Sequence, residues 1–171
     1  MTIEAYTYPD EFSICDGTKQ PIKGVKLGQQ TRLPFCMTYR TEVGNDTGSE
    51  DDDSYLLHLV YNCTASPSDR SYETINDSPD AITFSWECDT TPQQFSNYDY
   101  SPVSTIVIDS SKVKDLELNG RKTLTTLEEI LYGNLSKDAT MPSPDYVVKL
   151  FMDSTVPNSE QQPEPEVPVE G

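Results

Sequence analysis

His58 is the only histidine in 171 residues, and the four cysteines are Cys15, Cys36, Cys63 and Cys88. A histidine beside a thiol is the simplest nucleophile–base pair the chain could assemble. His58, however, lies between Leu57 and Leu59 inside a strand pattern, and no cysteine carries a recognisable nucleophile motif. A structural, hydrogen-bonded histidine is the reading its neighbours favour. The cysteines are scattered and form no Cys-x-x-Cys pair, which argues against a zinc site and for reduced, mostly buried thiols. The carboxylates are equally uninformative. Glu128 and Glu129 suit the first turn of a helix, where the positive end of the dipole accounts for them. The run Glu50-Asp51-Asp52-Asp53 lacks the alternating ligands and central glycine of a calcium loop. No phosphate-binding loop, dinucleotide fingerprint or Gly-x-Ser-x-Gly elbow is present. The expectation is no catalytic residue, no metal site and no cofactor.

Charge limits the partners. Lys+Arg 12 against Asp+Glu 29 gives −17, with a sequence pI near 4.1. Such a surface repels phosphates and anionic lipid and opposes nucleic-acid binding, although it suits a wall that nucleic acid slides past. No apolar run approaches the ~20 residues of a membrane span. The first six residues read as neither a basic nor an apolar leader region, so folding in a cytoplasm is expected.

The elements that would position these residues are mostly strands. Residues 1–30 read as an irregular N-terminal arm, with one short strand at 22–27. Residues 31–152 read as a β-rich core domain. Its strands are expected at 33–39, 55–63, 82–88 and 103–108, separated by long connections at 41–54 and 64–80. Strand 55–63 is apolar on both faces, as a central strand is. A helix is expected near 125–132, started by a Thr-x-x-Glu capping box and stopped by Gly133. A shorter helix is expected to begin with Pro144 at its first position. Residues 153–171 read as a disordered acidic, proline-rich tail. The expected core is Leu57, Leu59, Phe84, Trp86, Ile106, Ile108, Leu127, Ile130 and Leu131. Ten tyrosines and five phenylalanines are the remaining oddity. Tyr6, Tyr8, Phe95, Tyr98 and Tyr100 are candidate inter-subunit contacts, because such rings offer area with a polar handle; covering the domain's own core edges is the competing reading.

Several blocks carry a resemblance. They are Tyr39-Arg40-Thr41 with Gly44-Asn45-Asp46, His58-Leu59-Val60-Tyr61-Asn62-Cys63 with Ala65-Ser66-Pro67-Ser68, and Asn76-Asp77-Ser78-Pro79. Further along stand Phe84-Ser85-Trp86-Glu87 with Thr90-Thr91-Pro92, Ile108-Asp109-Ser110, the run from Leu127 to Gly133, and Met141-Pro142-Ser143-Pro144-Asp145. In this order they resemble small virion structural proteins of tailed phages and prophages of Gram-positive bacteria, specifically major tail (tail tube) proteins. Asn119-Gly120-Arg121-Lys122 and the acidic tail depart from that pattern. The resemblance implies a mainly β (α+β) fold: a tail-tube-like β-sandwich or barrel of antiparallel strands flanked by one or two short helices. It implies a subunit of the virion tail, assembled in the host bacterial cytoplasm into stacked, hexameric rings through which DNA passes without specific binding. The implied partners are copies of itself and other tail or connector proteins, with no membrane. A head decoration or head–tail joining protein is an alternative within the particle. A carbohydrate- or protein-binding β-sandwich module is the alternative of another class.

Overall fold

The computed structural model describes residues 1–43, 54–67 and 83–157. The chain runs β1 (Thr2–Ala5), a 3-10 helix (Asp10–Ile14), β2 (Lys19–Ile22), β3 (Val25–Leu27), β4 (Phe35–Glu42), β5 (Tyr55–Pro67), β6 (Phe84–Thr90) and β7 (Thr105–Asp109). It continues with α1 (Ser110–Val113), β8 (Glu117–Leu118), β9 (Arg121–Lys122), α2 (Thr123–Tyr132) and α3 (Pro144–Met152). The architecture is mainly antiparallel β, a curled half-barrel sheet with a few short helices. Its order is β1-β6-β5-β4, with β7 also pairing β5.

β5 organises everything else. β4 lies along one edge, while β7 and β6 share the other, β7 against residues 56–60 and β6 against 63–67. Phe35 stands opposite Cys63 but Met37 stands opposite Val60, so β5 carries one residue more than β4 between these pairs. Asn62, at φ 50°, lies in this bulge. Because strand side chains alternate, the extra residue exchanges the faces. Before it, Leu57, Leu59 and Tyr61 point into one core; after it, Ala65 points into another on the opposite side of the sheet.

The first core is roofed by the helices. Leu124, Leu127 and Leu131 recur at helical spacing on α2, and Val147 and Leu150 on α3, and all of them pack on Leu57, Leu59 and Ile108. Each fully buried leucine of this kind stabilises the fold by roughly 1.5–3 kcal/mol over an exposed one. α3 begins as expected: Ser143 accepts a hydrogen bond from the Tyr146 N–H, and Pro144 opens the first turn. α2 differs. It starts at Thr123, two residues ahead of the expected capping box, and its N-cap Lys122 makes no side-chain cap. Thr123 is fully buried and its hydroxyl bonds Ser154, so packing rather than capping sets this start.

The second core lies under the N-terminal segment, and here the sequence-based expectation needs correction. Residues 1–30 were expected to be irregular apart from one strand, yet β1 joins the main sheet beside β6 through Ile3↔Trp86 and Ala5↔Phe84. The 3-10 helix then folds over Trp86. The expected strand at 22–27 is instead a hairpin, because Gly24 at φ 89° turns the chain between Ile22 and Val25. β5 also runs four residues past Cys63, so the expected connection at 64–80 begins only after Pro67. The remainder of that connection, most of loop 41–54 and most of the tail after 153 lie outside the described residues. Of the expected core, Phe84, Ile106 and Ile130 are half-buried and the others are buried. The thiols divide: Cys63 and Cys88 are buried, Cys15 is half-buried and Cys36 is exposed, and none of the four is in a disulfide. Burial pushes the Cys63 thiol up to about 11, helped by neighbouring Cys88 and Cys36, so it is a poor nucleophile.

Candidate assembly surfaces

Three surfaces of this fold hold side chains that water solvates badly. The first is the outer face of the sheet where β4, β5 and β7 pair. The helices roof the opposite face here, and the N-terminal segment reaches only the Trp86 half. His58, Tyr39 and Val107 are cross-strand neighbours on this face. The Tyr39 and His58 rings stack at 4.5 Å and 6°, and the His58 Nε2 is 2.7 Å from the Thr41 Oγ1. Val107 beside them is 52% exposed. His58 is thus held as part of a sheet surface. Cys63 lies five strand residues away, roughly 16 Å along β5, beyond the bulge and opposite Phe35 rather than Tyr39. The structure does not bring histidine and thiol together.

The second surface is the excursion 91–104. β6 and β7 run in the same direction against β5, one continuing where the other stops. The residues between them leave the sheet through a neck closed by two mutual backbone bonds between Gln93 and Val103, at 2.8 and 3.0 Å. Phe95, Tyr98 and Tyr100 gather beyond the neck. Phe95 meets Tyr100 edge-on at 5.4 Å, and Tyr98 stacks on Tyr100 at 5.8 Å. The Asp145 carboxylate, in the first turn of α3, accepts from the Ser96 and Asn97 backbone N–H groups at 2.7–3.0 Å. Those bonds hold its carboxyl below the usual carboxylate range. The aromatic tip is therefore a pinned platform; Tyr100 is exposed, while Phe95 and Tyr98 are half-buried. Of the remaining candidate contacts, Tyr6 is 73% exposed. Tyr8 packs inward, its ring 5.2 Å from Phe84 and 5.3 Å from Trp86.

The third surface is the β2–β3 hairpin, which is exposed along its whole length. Val25 and Leu27 alternate onto one face and Ile22 pairs with Val25, so three aliphatic side chains share that face. They are 69%, 49% and 45% exposed for Ile22, Val25 and Leu27. Sequence reading missed this surface. The available signal was Lys23-Gly24 between two short apolar pairs, a turn pattern that was read as strand interior.

One polar cluster ties sheet to helix. Arg40 on β4 pairs with Glu128 of α2 at 2.6 Å and lies over the Tyr55 ring at 4.5 Å. Tyr55 donates its hydroxyl to the same carboxylate. Burial, then the hydrogen bond to Glu128, pushes the Tyr55 hydroxyl up to about 12. This arrangement fixes α2 in place; it leaves Glu128 committed to two partners. Among the described residues no group of three His, Cys, Asp or Glu side chains is placed to hold a metal ion, and no helix is long and apolar enough to cross a membrane.

Comparison of the chain with known protein families, with curated proteins and with solved structures returns no match.

Proposed function

We propose that this chain is a structural subunit that polymerises, and that it serves as a tail tube protein of a tailed phage or prophage, stacked in rings around a DNA conduit. The observation that carries the reading is the half-covered sheet. An open, curled sheet that leaves Tyr39, Val43 and Val107 in water has the surface of one piece of a larger wall. β4 pairs only with β5 among the described residues, so its other edge is open over eight residues, and neighbours close such edges readily. The ordered sequence blocks that resemble tail tube proteins point the same way. An acidity of −17 suits a lumen that must not grip phosphates.

Negative-stain microscopy of the purified chain across concentration tests this. Rings or tubes with a central channel are expected, together with antibody labelling along the tail of the parent particle. A chain that stays monomeric at millimolar concentration, with labelling confined to the head, removes the reading. Labelling at the head alone with assembled rings favours a decoration or joining role instead.

A further inference from the structure

Residues 17–32 hold four of the chain's 12 Lys+Arg, namely Lys19, Lys23, Lys26 and Arg32, and none of its 29 Asp+Glu. The rest, with eight cations against 29 carboxylates, carries −21. The most basic stretch is thus also the exposed hairpin with an aliphatic face. Lys19 stands opposite Leu27 and Lys23 is in the turn, so these two flank Ile22, Val25 and Leu27, while Lys26 is on the other face of β3. A two-stranded hairpin buried against nothing is marginal in water, and three exposed aliphatics add to that cost. Between the hairpin and the 3-10 helix runs an open groove of about 880 Å³, lined by Ile14, Lys19, Lys23 and Leu33 among others. Ile14 and Leu33 are themselves exposed and give the groove an apolar part of its own, with Asp10 and Glu11 also on its wall.

We propose that the β2–β3 hairpin is a docking arm that seats on the acidic surface of a second copy of this chain. The occupant follows from charge. A positive arm on a body of −21 finds its complement on every neighbouring copy, and a contact between unlike patches is heterologous, the kind that builds rings and stacks. This rests on the polymerising reading above and names the element that does the joining.

The test compares the full-length chain with two variants, Lys19→Glu/Lys23→Glu/Lys26→Glu and Ile22→Ser/Val25→Ser. Both change exposed residues, so far-UV dichroism and the emission of buried Trp86 should match wild type. Assembly is read by sedimentation and microscopy. The half-assembly concentration is expected to rise about tenfold or more in each variant, and the charge-reversed chain's deficit should narrow as salt screens it. Carbodiimide cross-linking of mixed heavy- and light-isotope wild-type chains should join these lysines to carboxylates of the other copy. Unchanged assembly in both variants overturns the arm while leaving the tube reading intact. Hairpin-dependent dimers that never form rings keep the arm and remove the tube. A wild type that binds duplex DNA or anionic vesicles through these lysines, and does not self-associate, overturns the arm in favour of an anionic partner.

Discussion

Trp86 lies under the N-terminal segment and donates its indole N–H to the buried Asp16 carboxylate at 2.7 Å, a bond spanning 70 residues of sequence. Bonds to charged acceptors are worth about 1.5–3 kcal/mol, so Trp86→Phe should lower the unfolding free energy in urea by at least that amount, the smaller ring also leaving buried space. A loss indistinguishable from zero would mean that water replaces the indole. Tyr55 makes a prediction in pH. Its hydroxyl is raised to about 12 in the fold, from an ordinary value near 10. The neutral phenol is the form the fold favours, so its contribution is complete below about pH 10 and disappears as pH rises through 12. Wild type should therefore lose stability over that window faster than Tyr55→Phe, as followed by thermal melts in steps of pH. The carboxyls of Asp109 and Asp145 act in the opposite sense. Both are lowered by hydrogen bonds, Asp109 first by the Ser111 side chain and Asp145 first by the Ser96 N–H. Their support is present above the ordinary carboxylate range and fades as pH falls through their lowered values.

Elements are joined here by a few positions with strict requirements. Gly133 ends α2 at φ 69°, and a Cβ there would come within 2.7 Å of the Ala139 nitrogen and the Lys137 oxygen. Both are backbone atoms that cannot swing away, so Gly133→Ala should destabilise by at least about 1–3 kcal/mol. A chemical-denaturation midpoint unchanged by this substitution would refute it. The excursion 91–104 is separable by design. Because Gln93 and Val103 already face each other across two hydrogen bonds, residues 94–102 should be replaceable by Asn-Gly, turning the neck into an ordinary hairpin. The shortened chain should fold cooperatively with a lower melting temperature, since the bonds from Asp145 are lost. If Phe95, Tyr98 and Tyr100 are subunit contacts, it should also fail to assemble; wild-type rings from the shortened chain would reassign those rings to internal packing. The strands of the main sheet were legible in the sequence because residues 55–63 form a run apolar on both faces and residues 82–88 alternate cleanly. The bulge at Asn62 was not. A one-residue insertion leaves the composition of a strand unchanged, and it becomes visible only against the partner strand that has one residue fewer.

For the whole molecule, net charge sets solution behaviour. The sequence pI is near 4.1, and self-repulsion should collapse as pH falls toward that value. Solubility should pass through a minimum there, measured by turbidity against pH, while no retardation of duplex DNA is expected from the body of the chain at neutral pH. The two cores lie on opposite sides of one sheet, and among the described residues neither covers the outer face around His58 and Val107. This geometry, more than any single residue, is what the proposed subunit role rests on.

The sequence by itself determined the acidity, the main strands, the buried faces of Leu57, Leu59, Trp86 and Ile108, and the short helices near the end. Those follow from local spacing, which encodes the period of each element and the side it buries. Only the tertiary structure decided that β1 closes onto β6, that residues 19–27 form an exposed basic hairpin, and that Tyr8 packs inward while Tyr6 stands out. It alone separated His58 from the thiols, reducing the one arrangement that suggested chemistry to a stacked pair on an open sheet. These outcomes depend on which strands pair and in what register, and a pairing such as Thr2 with Glu87 is a property that no local pattern carries.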